Sequence, residues 1–189
     1  MSIIQTFCQA LGERDSYTGE HCKNVARLMA GFAEYAEFSA EDITLAYIVG
    51  IVHDVGKVSM PNHILNKPGR LTEAEFAIIK QHPDIGASLL AEVDGLEKVA
   101  EIVRFHHERF DGRGYGKGLA GHSIPFFSRM LSVCDTFDAM TSARCYRRTP
   151  LTVSQALAEI ASCAGTQLDP SICECFIDFI RSFQERALP

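Results

Sequence analysis

The segment Ile51-Val-His-Asp-Val-Gly-Lys57 ends an apolar helical stretch on an adjacent imidazole and carboxylate, with a lysine three residues later. Ionisable groups in such a place are costly to bury unless something charged satisfies them. The pair does not stand alone. His21 lies one helical turn before Val25 on a stripe that continues through Leu28, Met29 and Phe32, so it points inward. His106 and His107 follow Val103 by three and four residues and Val99 by seven and eight, again on the inward side, and His82 precedes Pro83 at a helical start. Asp135 interrupts the otherwise apolar Met130-Leu-Ser-Val-Cys-Asp-Thr-Phe137. A lone histidine on an apolar face is an ordinary hydrogen-bonded core residue. Several ionisable groups aimed into one core require convergence, and a metal ion satisfies imidazoles and carboxylates together. The donors suffice for two ions. A carboxylate such as Asp54 can bridge them, and solvent held between two ions ionises near neutral pH. Nitrogen and oxygen donors without cysteine suit iron, manganese, nickel or zinc.

The rest of the chain reads as helix. Ser39, with Asp42 three residues on, starts the helix that runs through Ile43, Tyr47, Ile48 and Ile51. Thr72 with Glu75, and Thr152 with Gln155, are capping boxes, and Asp169-Pro170 is an N-cap followed by proline at the first helical position. No strand alternation, repeat or linker interrupts the pattern, so one all-α domain over residues 1–189 is expected. Residues 66–71 form a turn, and residues 110–119 form a loop with four glycines, able to bring backbone N–H groups to an anion or simply to turn sharply.

Composition removes several function classes. With 47% hydrophobic and 22% charged residues the chain is globular, and no apolar run approaches the roughly 20 residues that cross a bilayer. The start lacks the layout of a secretory signal, so a cytoplasmic protein without membrane attachment is expected. Seven scattered cysteines, none in a Cys-x-x-Cys pair, read as reduced thiols. A net charge of −6 argues against DNA binding, whereas bound metals would still admit an anionic small substrate.

Lys57 is a cation beside the proposed metal centre, which suits an anionic ligand there. Arg144, Arg147 and Arg148 follow Asp135 closely, and arginines in such a place recognise phosphate by paired hydrogen bonds, although basic side chains are also common at solvated helix ends. The chemistry these residues support is metal-assisted hydrolysis of a phosphoester.

Seven motifs in order resemble the HD-GYP family of cyclic dinucleotide phosphodiesterases, a branch of the HD-domain phosphohydrolases. They are Arg14-Asp-Ser-Tyr-Thr-Gly-Glu-His21, His53-Asp-Val-Gly-Lys57, Ile64-Leu-Asn-Lys-Pro-Gly-Arg-Leu-Thr72, His106-His-Glu108, Asp111-Gly-Arg-Gly-Tyr115, Asp135-Thr-Phe-Asp-Ala139 and Gly165-Thr-Gln-Leu-Asp-Pro170. The resemblance implies an HD-domain helical bundle with a metal centre in its core. It implies that His21, His53, Asp54 and Asp135 hold one divalent ion and that Asp54 bridges to a second held by His82, His106 and His107, with iron or manganese favoured. Asp54 and Lys57 are the expected catalytic residues. Lys57, Tyr115, Asp138, Arg144 and Arg147 are expected at the substrate. The implied reaction is hydrolysis of cyclic di-GMP to pGpG, GMP or both by a metal-bridging hydroxide.

Three positions depart from the family pattern. Gly114-Tyr115-Gly116 replaces Gly-Tyr-Pro, which predicts a more flexible 110–119 loop in a region that also offers a contact for a signalling partner. Tyr17 stands where some members carry a glutamate that helps to hold a third metal, so two metals are expected. Arg144-Cys145-Tyr146 replaces Arg-Pro-Tyr. Two other readings use the same residues: a catalytically silent module that binds a dinucleotide or docks a partner, and a hydrolase of another nucleotide such as cyclic GMP–AMP.

Overall fold

The structure, a computed structural model, describes residues 6 and 12 and the stretches 16–142 and 149–186, without the side chains of 16, 17, 185 and 186. Helix α1 (Ser16–Tyr35) presents Val25, Ala26, Met29 and Phe32 to the interior at helical spacing. Helix α2 (Ala40–Val52) packs along it. Its start is the expected cap, with the Ser39 hydroxyl accepting the Asp42 N–H at 3.1 Å.

At Asp54 the backbone leaves helical geometry (φ −95°, ψ 7°), and the chain tightens into a 3-10 turn over Val55–Ser59. The turn is possible because residue 56 is glycine. A Cβ there would lie 2.0 Å from the His82 carbonyl oxygen and 2.6 Å from the Gly86 nitrogen. The backbone of the turn therefore rests directly on the next major helix, and His53-Asp54 is brought against His82.

After the short α3 (Asn62–Leu65) and α4 (Glu73–Ile79), helix α5 (His82–Ala91) carries His82 at its first residue. Helix α6 (Glu97–Arg104) packs on α5 and ends two residues before His106. Both capping boxes are present, Thr72 with Glu75 on α4 and Thr152 with Gln155 at the start of α8 (Val153–Cys163). Helix α7 (Phe126–Thr141) runs through the middle, touching α1, α2, α6 and α8, and α9 (Pro170–Arg186) closes the bundle against α8, α7 and α1. Asp169 caps α9 through the N–H groups of Ser171 (2.9 Å) and Ile172 (3.3 Å), and it also pairs with Arg129 of α7.

The buried interior includes Met29, Leu90, Met130, Leu131, Ile160 and Phe176, with Phe32 and Phe137 each 5.3 Å from the Phe176 ring centre. Each such side chain stabilises the fold by roughly 1.5–3 kcal/mol. Among the described residues the only strand-like pairing is an isolated bridge between Ala164 and Leu168. The all-α expectation therefore holds. No helix among them is long and apolar enough to cross a membrane.

Candidate metal centre

The two ends of the α2 junction and the start of α5 place the ionisable groups side by side. His53, His82 and His106 are each 1% exposed. Each donates its Nδ1–H to a backbone carbonyl three residues earlier: His53 to Gly50 at 2.8 Å, His82 to Ile79 at 2.8 Å and His106 to Val103 at 2.5 Å. Those bonds assign the proton to Nδ1 and leave Nε2 as a lone-pair donor facing inward. The Nε2 atoms of His82 and His106 lie 3.4 Å apart. His53 Nε2 is buried without a hydrogen-bond partner among the described residues. Lone pairs converging in a dry site repel one another unless a cation lies between them. The backbone carbonyls behind the rings are the outer supports that metal-bound imidazoles use.

Two compact donor groups result, one of His21, His53 and Asp54 and the other of His82, His106 and His107, each with donor atoms within 4.8 Å of one another. Asp54, 2% exposed, stands between them. Its Oδ2 accepts from Lys57 Nζ at 2.6 Å and its Oδ1 lies 3.3 Å from His82 Nε2. Burial alone would raise the Asp54 pKa, but Lys57, His53 and His82 hold it well below the usual carboxylate range. Lys57 follows the reverse logic: burial opposes its charge, yet Asp54 raises its pKa. It is no surface lysine.

His21 bridges two carboxylates, Asp138 Oδ2 at 2.6 Å from Nδ1 and Asp135 Oδ1 at 3.0 Å from Nε2. Burial disfavours its charged form, but the two hydrogen bonds win and push its pKa up to about 9. Asp135 reaches the first donor group through this contact, and its pKa is lowered by His21 against the opposing effect of burial. Burial, and then the neighbouring histidines, lower His106 well below its ordinary value and His107 to about 3, so both rings stay neutral and can donate. Either donor group could hold a divalent metal ion, His21 by releasing the proton it carries between Asp135 and Asp138.

Some of these residues stand elsewhere than expected. His106 and His107 are not on a helix, because α6 ends at Arg104 and both lie in the turn that follows. They still face inward because Ser132 of α7 donates to the His106 carbonyl at 2.5 Å. Asp138, expected at the substrate, is 4% exposed and stands behind His21, with its Oδ2 2.6 Å from the ring Nδ1. Spacing carries this signal, since Asp135 and Asp138 are three residues apart on one helix face and meet the same imidazole. The 110–119 loop makes hydrogen bonds at three of its backbone N–H groups to the segment that carries the histidines. Glu108, 4% exposed, accepts the N–H groups of Lys117 and of Gly118 (2.9 Å), and Tyr115 N–H donates to His107 O at 3.2 Å. A Cβ on Gly116 would lie 2.6 Å from Glu108 Oε1, so glycine lets the loop close onto that carboxylate. Arg144 and Arg147 lie outside the described residues, as does the Tyr17 side chain.

Above the donor groups opens a cavity of about 640 Å³, within the ordinary range for a small-molecule site. His21, Asp54, Lys57, His107 and Asp135 form its floor, and Tyr115, Phe76, Arg109, Arg113 and Gln167 complete its walls. The Tyr115 ring stacks on His107 at 4.6 Å and 27°. Burial and the nearby Asp54 and Asp135 raise its pKa, so the phenol keeps its proton and can donate it in a hydrogen bond. Sequence reasoning did not single out Phe76, Arg109 or Gln167, which reach the cavity from three separate segments.

The HD domain family model matches residues 2–172. A cyclic di-GMP phosphodiesterase of Pseudomonas aeruginosa is 36% identical over 175 residues, covering 92% of this chain and 42% of the relative. A 3'3'-cGAMP-specific phosphodiesterase of Vibrio cholerae is 37% identical over 147 residues, covering 78% of this chain and 34% of the relative. The chain thus spans less than half the length of these curated relatives. In fold it is similar to the HD domain of the L. monocytogenes phosphodiesterase PgpH, solved with cyclic-di-AMP, at a TM-score of 0.70 and 18% identity over 97% of this chain and 98% of that one. A buried His-Asp pair at the end of a core helix, further histidines gathered around it and a matching family model lead to one assignment: the chain belongs to the HD domain family.

Proposed function

We propose that this chain hydrolyses a phosphodiester bond of a cyclic dinucleotide, with cyclic di-GMP as the first candidate and pGpG or GMP as product. The observation that carries the reading is the arrangement of Asp54, with one oxygen beside the His21/His53 group and the other beside His82. His21, His53, Asp54 and Asp135 would hold one divalent ion, and Asp54, His82, His106 and His107 a second, iron or manganese before nickel or zinc. Bound there, such ions supply charge neutralisation at a phosphoryl oxygen and an acidified water.

The chain's own groups do the positioning. Lys57 fixes the Asp54 carboxylate and lines the cavity, where its ammonium can meet a phosphate oxygen. Arg113 adds positive charge to the walls, where Arg109 is already paired with Asp111, and the Tyr115 phenol offers a donor beside His107. The histidines are oriented by backbone carbonyls before any ligand arrives, so little reorganisation is needed on binding. Arg144 and Arg147 belong to the same proposal as phosphate contacts. So do a cytoplasmic setting and a signalling partner meeting the exposed Arg113 and Lys117 of the 110–119 loop.

The test is metal analysis of the purified protein combined with chromatography of cyclic di-GMP incubated with manganese or ferrous iron. Two equivalents of metal and the appearance of pGpG or GMP are expected. The Vibrio relative favours a second substrate, so 3'3'-cGAMP is run in parallel. A higher kcat/KM for cGAMP would reassign the substrate. Absence of metal and of turnover with both nucleotides would overturn the reading.

A further inference from the structure

Phe76 is 41% exposed, yet it is not a stray surface residue. It projects from α4, a helix of seven residues held by a complete capping box and by Lys67, whose ammonium lies 2.7 Å from Glu75. Its ring lines the cavity and meets the Tyr115 ring edge-on at 6.0 Å. Tyr115 in turn stacks on His107. The exposed Lys80 sits 4.7 Å from the Phe76 centroid and 5.6 Å from that of Tyr115. An aromatic wall thus climbs from the metal-ligating floor to the mouth, with a cation at its top. A phosphate needs charge and hydrogen-bond donors, which Lys57 and Arg113 already offer in the cavity lining. An exposed phenyl ring on a fixed helix offers neither. What it offers is a flat apolar face, the feature that recognises a nucleobase by stacking irrespective of its edge pattern.

We propose that Phe76, with Tyr115 beside it, forms a stacking subsite for one purine base of the substrate, and that Lys80 places positive charge next to that base. This rests on the cyclic dinucleotide reading above. With the phosphate at the floor, the base attached through its ribose reaches the wall. Stacking tolerates guanine and adenine alike, so the subsite sets affinity for purine dinucleotides without choosing between cyclic di-GMP and its mixed counterpart.

The test uses the metal-loaded protein and its Phe76→Ala, Phe76→Leu and Phe76→Trp variants. KM and kcat are measured with cyclic di-GMP, and binding is followed with a cyclic dinucleotide carrying 2-aminopurine, whose fluorescence is quenched on stacking. Alanine and leucine are expected to raise KM about tenfold, with a smaller change in kcat, and to abolish the quench, while tryptophan restores both. A purely structural Phe76 would be rescued by leucine and would leave the quench intact. Wild-type turnover with unaltered KM and quench in the alanine and leucine variants overturns this inference alone. A wild-type protein that neither binds nor cleaves a cyclic dinucleotide overturns the function reading and this inference with it.

Discussion

Asp138 Oδ2 lies 2.6 Å from His21 Nδ1, both groups buried, and so fixes the face that His21 turns toward Asp135 and the first donor group. A carboxylate behind a ligating imidazole orients the ring and strengthens it as a donor. Asp138→Asn is therefore expected to weaken metal binding at that group about 10–100-fold, with the second group less affected. Metal titration of the folded variant, monitored by elemental analysis after dialysis, checks this. Equal affinity in variant and wild type would remove Asp138 from the site.

Among the described residues, Asp54 sets one oxygen beside His53 and the other beside His82, and so can serve both donor groups. Asp54→Ala is expected to abolish turnover and to leave the protein at least one metal equivalent short. Sustained hydrolysis by an Asp54→Ala protein free of metal would sink the proposed mechanism.

Gly56 allows the 3-10 turn to rest on α5, since a Cβ would meet the His82 carbonyl at 2.0 Å. Backbone atoms cannot give way as a flexible side chain can. Gly56→Ala is expected to cost about 1–3 kcal/mol or more and to lower Tm by several degrees. It should also separate Asp54 from His82 and so reduce metal content. A scanning calorimetry trace that overlays the wild type would contradict the close approach.

Glu108 holds the glycine loop by accepting two backbone N–H groups. In Glu108→Ala those amides lose their acceptor, and hydrogen exchange at Lys117 and Gly118 is expected to accelerate on the order of 10–100-fold. Unchanged exchange at both amides would mean that the loop is fixed by other contacts.

The Glu75 carboxyl is lowered from 4.5 to about 2, first by the hydrogen bond from Lys67 and then by the Thr72 backbone N–H. A depressed folded pKa stabilises the protein above the unfolded value, and that contribution fades as pH falls through the folded one. Wild type should therefore be more stable than Glu75→Gln above about pH 5, with the gap closing between about pH 4.5 and 2. Tm of both proteins across this range gives the answer. A gap that widens on acidification would reverse the sign and refute the assignment.

Much of the site was legible in the sequence because local rules govern it. Ser39, Thr72, Thr152 and Asp169 cap helices through atoms two or three residues away, so their helices could be read without any tertiary information. His21, His53, His82 and Asp135 betray themselves by lying where apolar residues belong. The partner of each was another matter. Asp138 was expected at the substrate, and its place beside His21, 117 residues away in sequence, emerges only when α7 packs on α1. Glu108 and Gly116 are similar: a buried carboxylate and a missing Cβ matter only because the loop folds back onto it.

By itself, then, the sequence determined the helical class, the caps and the candidate metal-binding groups, since backbone hydrogen bonding and hydrophobic periodicity act over one or two turns. Only the tertiary structure decided which oxygen of Asp54 faces which donor group and that Phe76 reaches the cavity. Those relations join segments far apart along the chain, and their distances are set by how helices pack rather than by any residue's own preference.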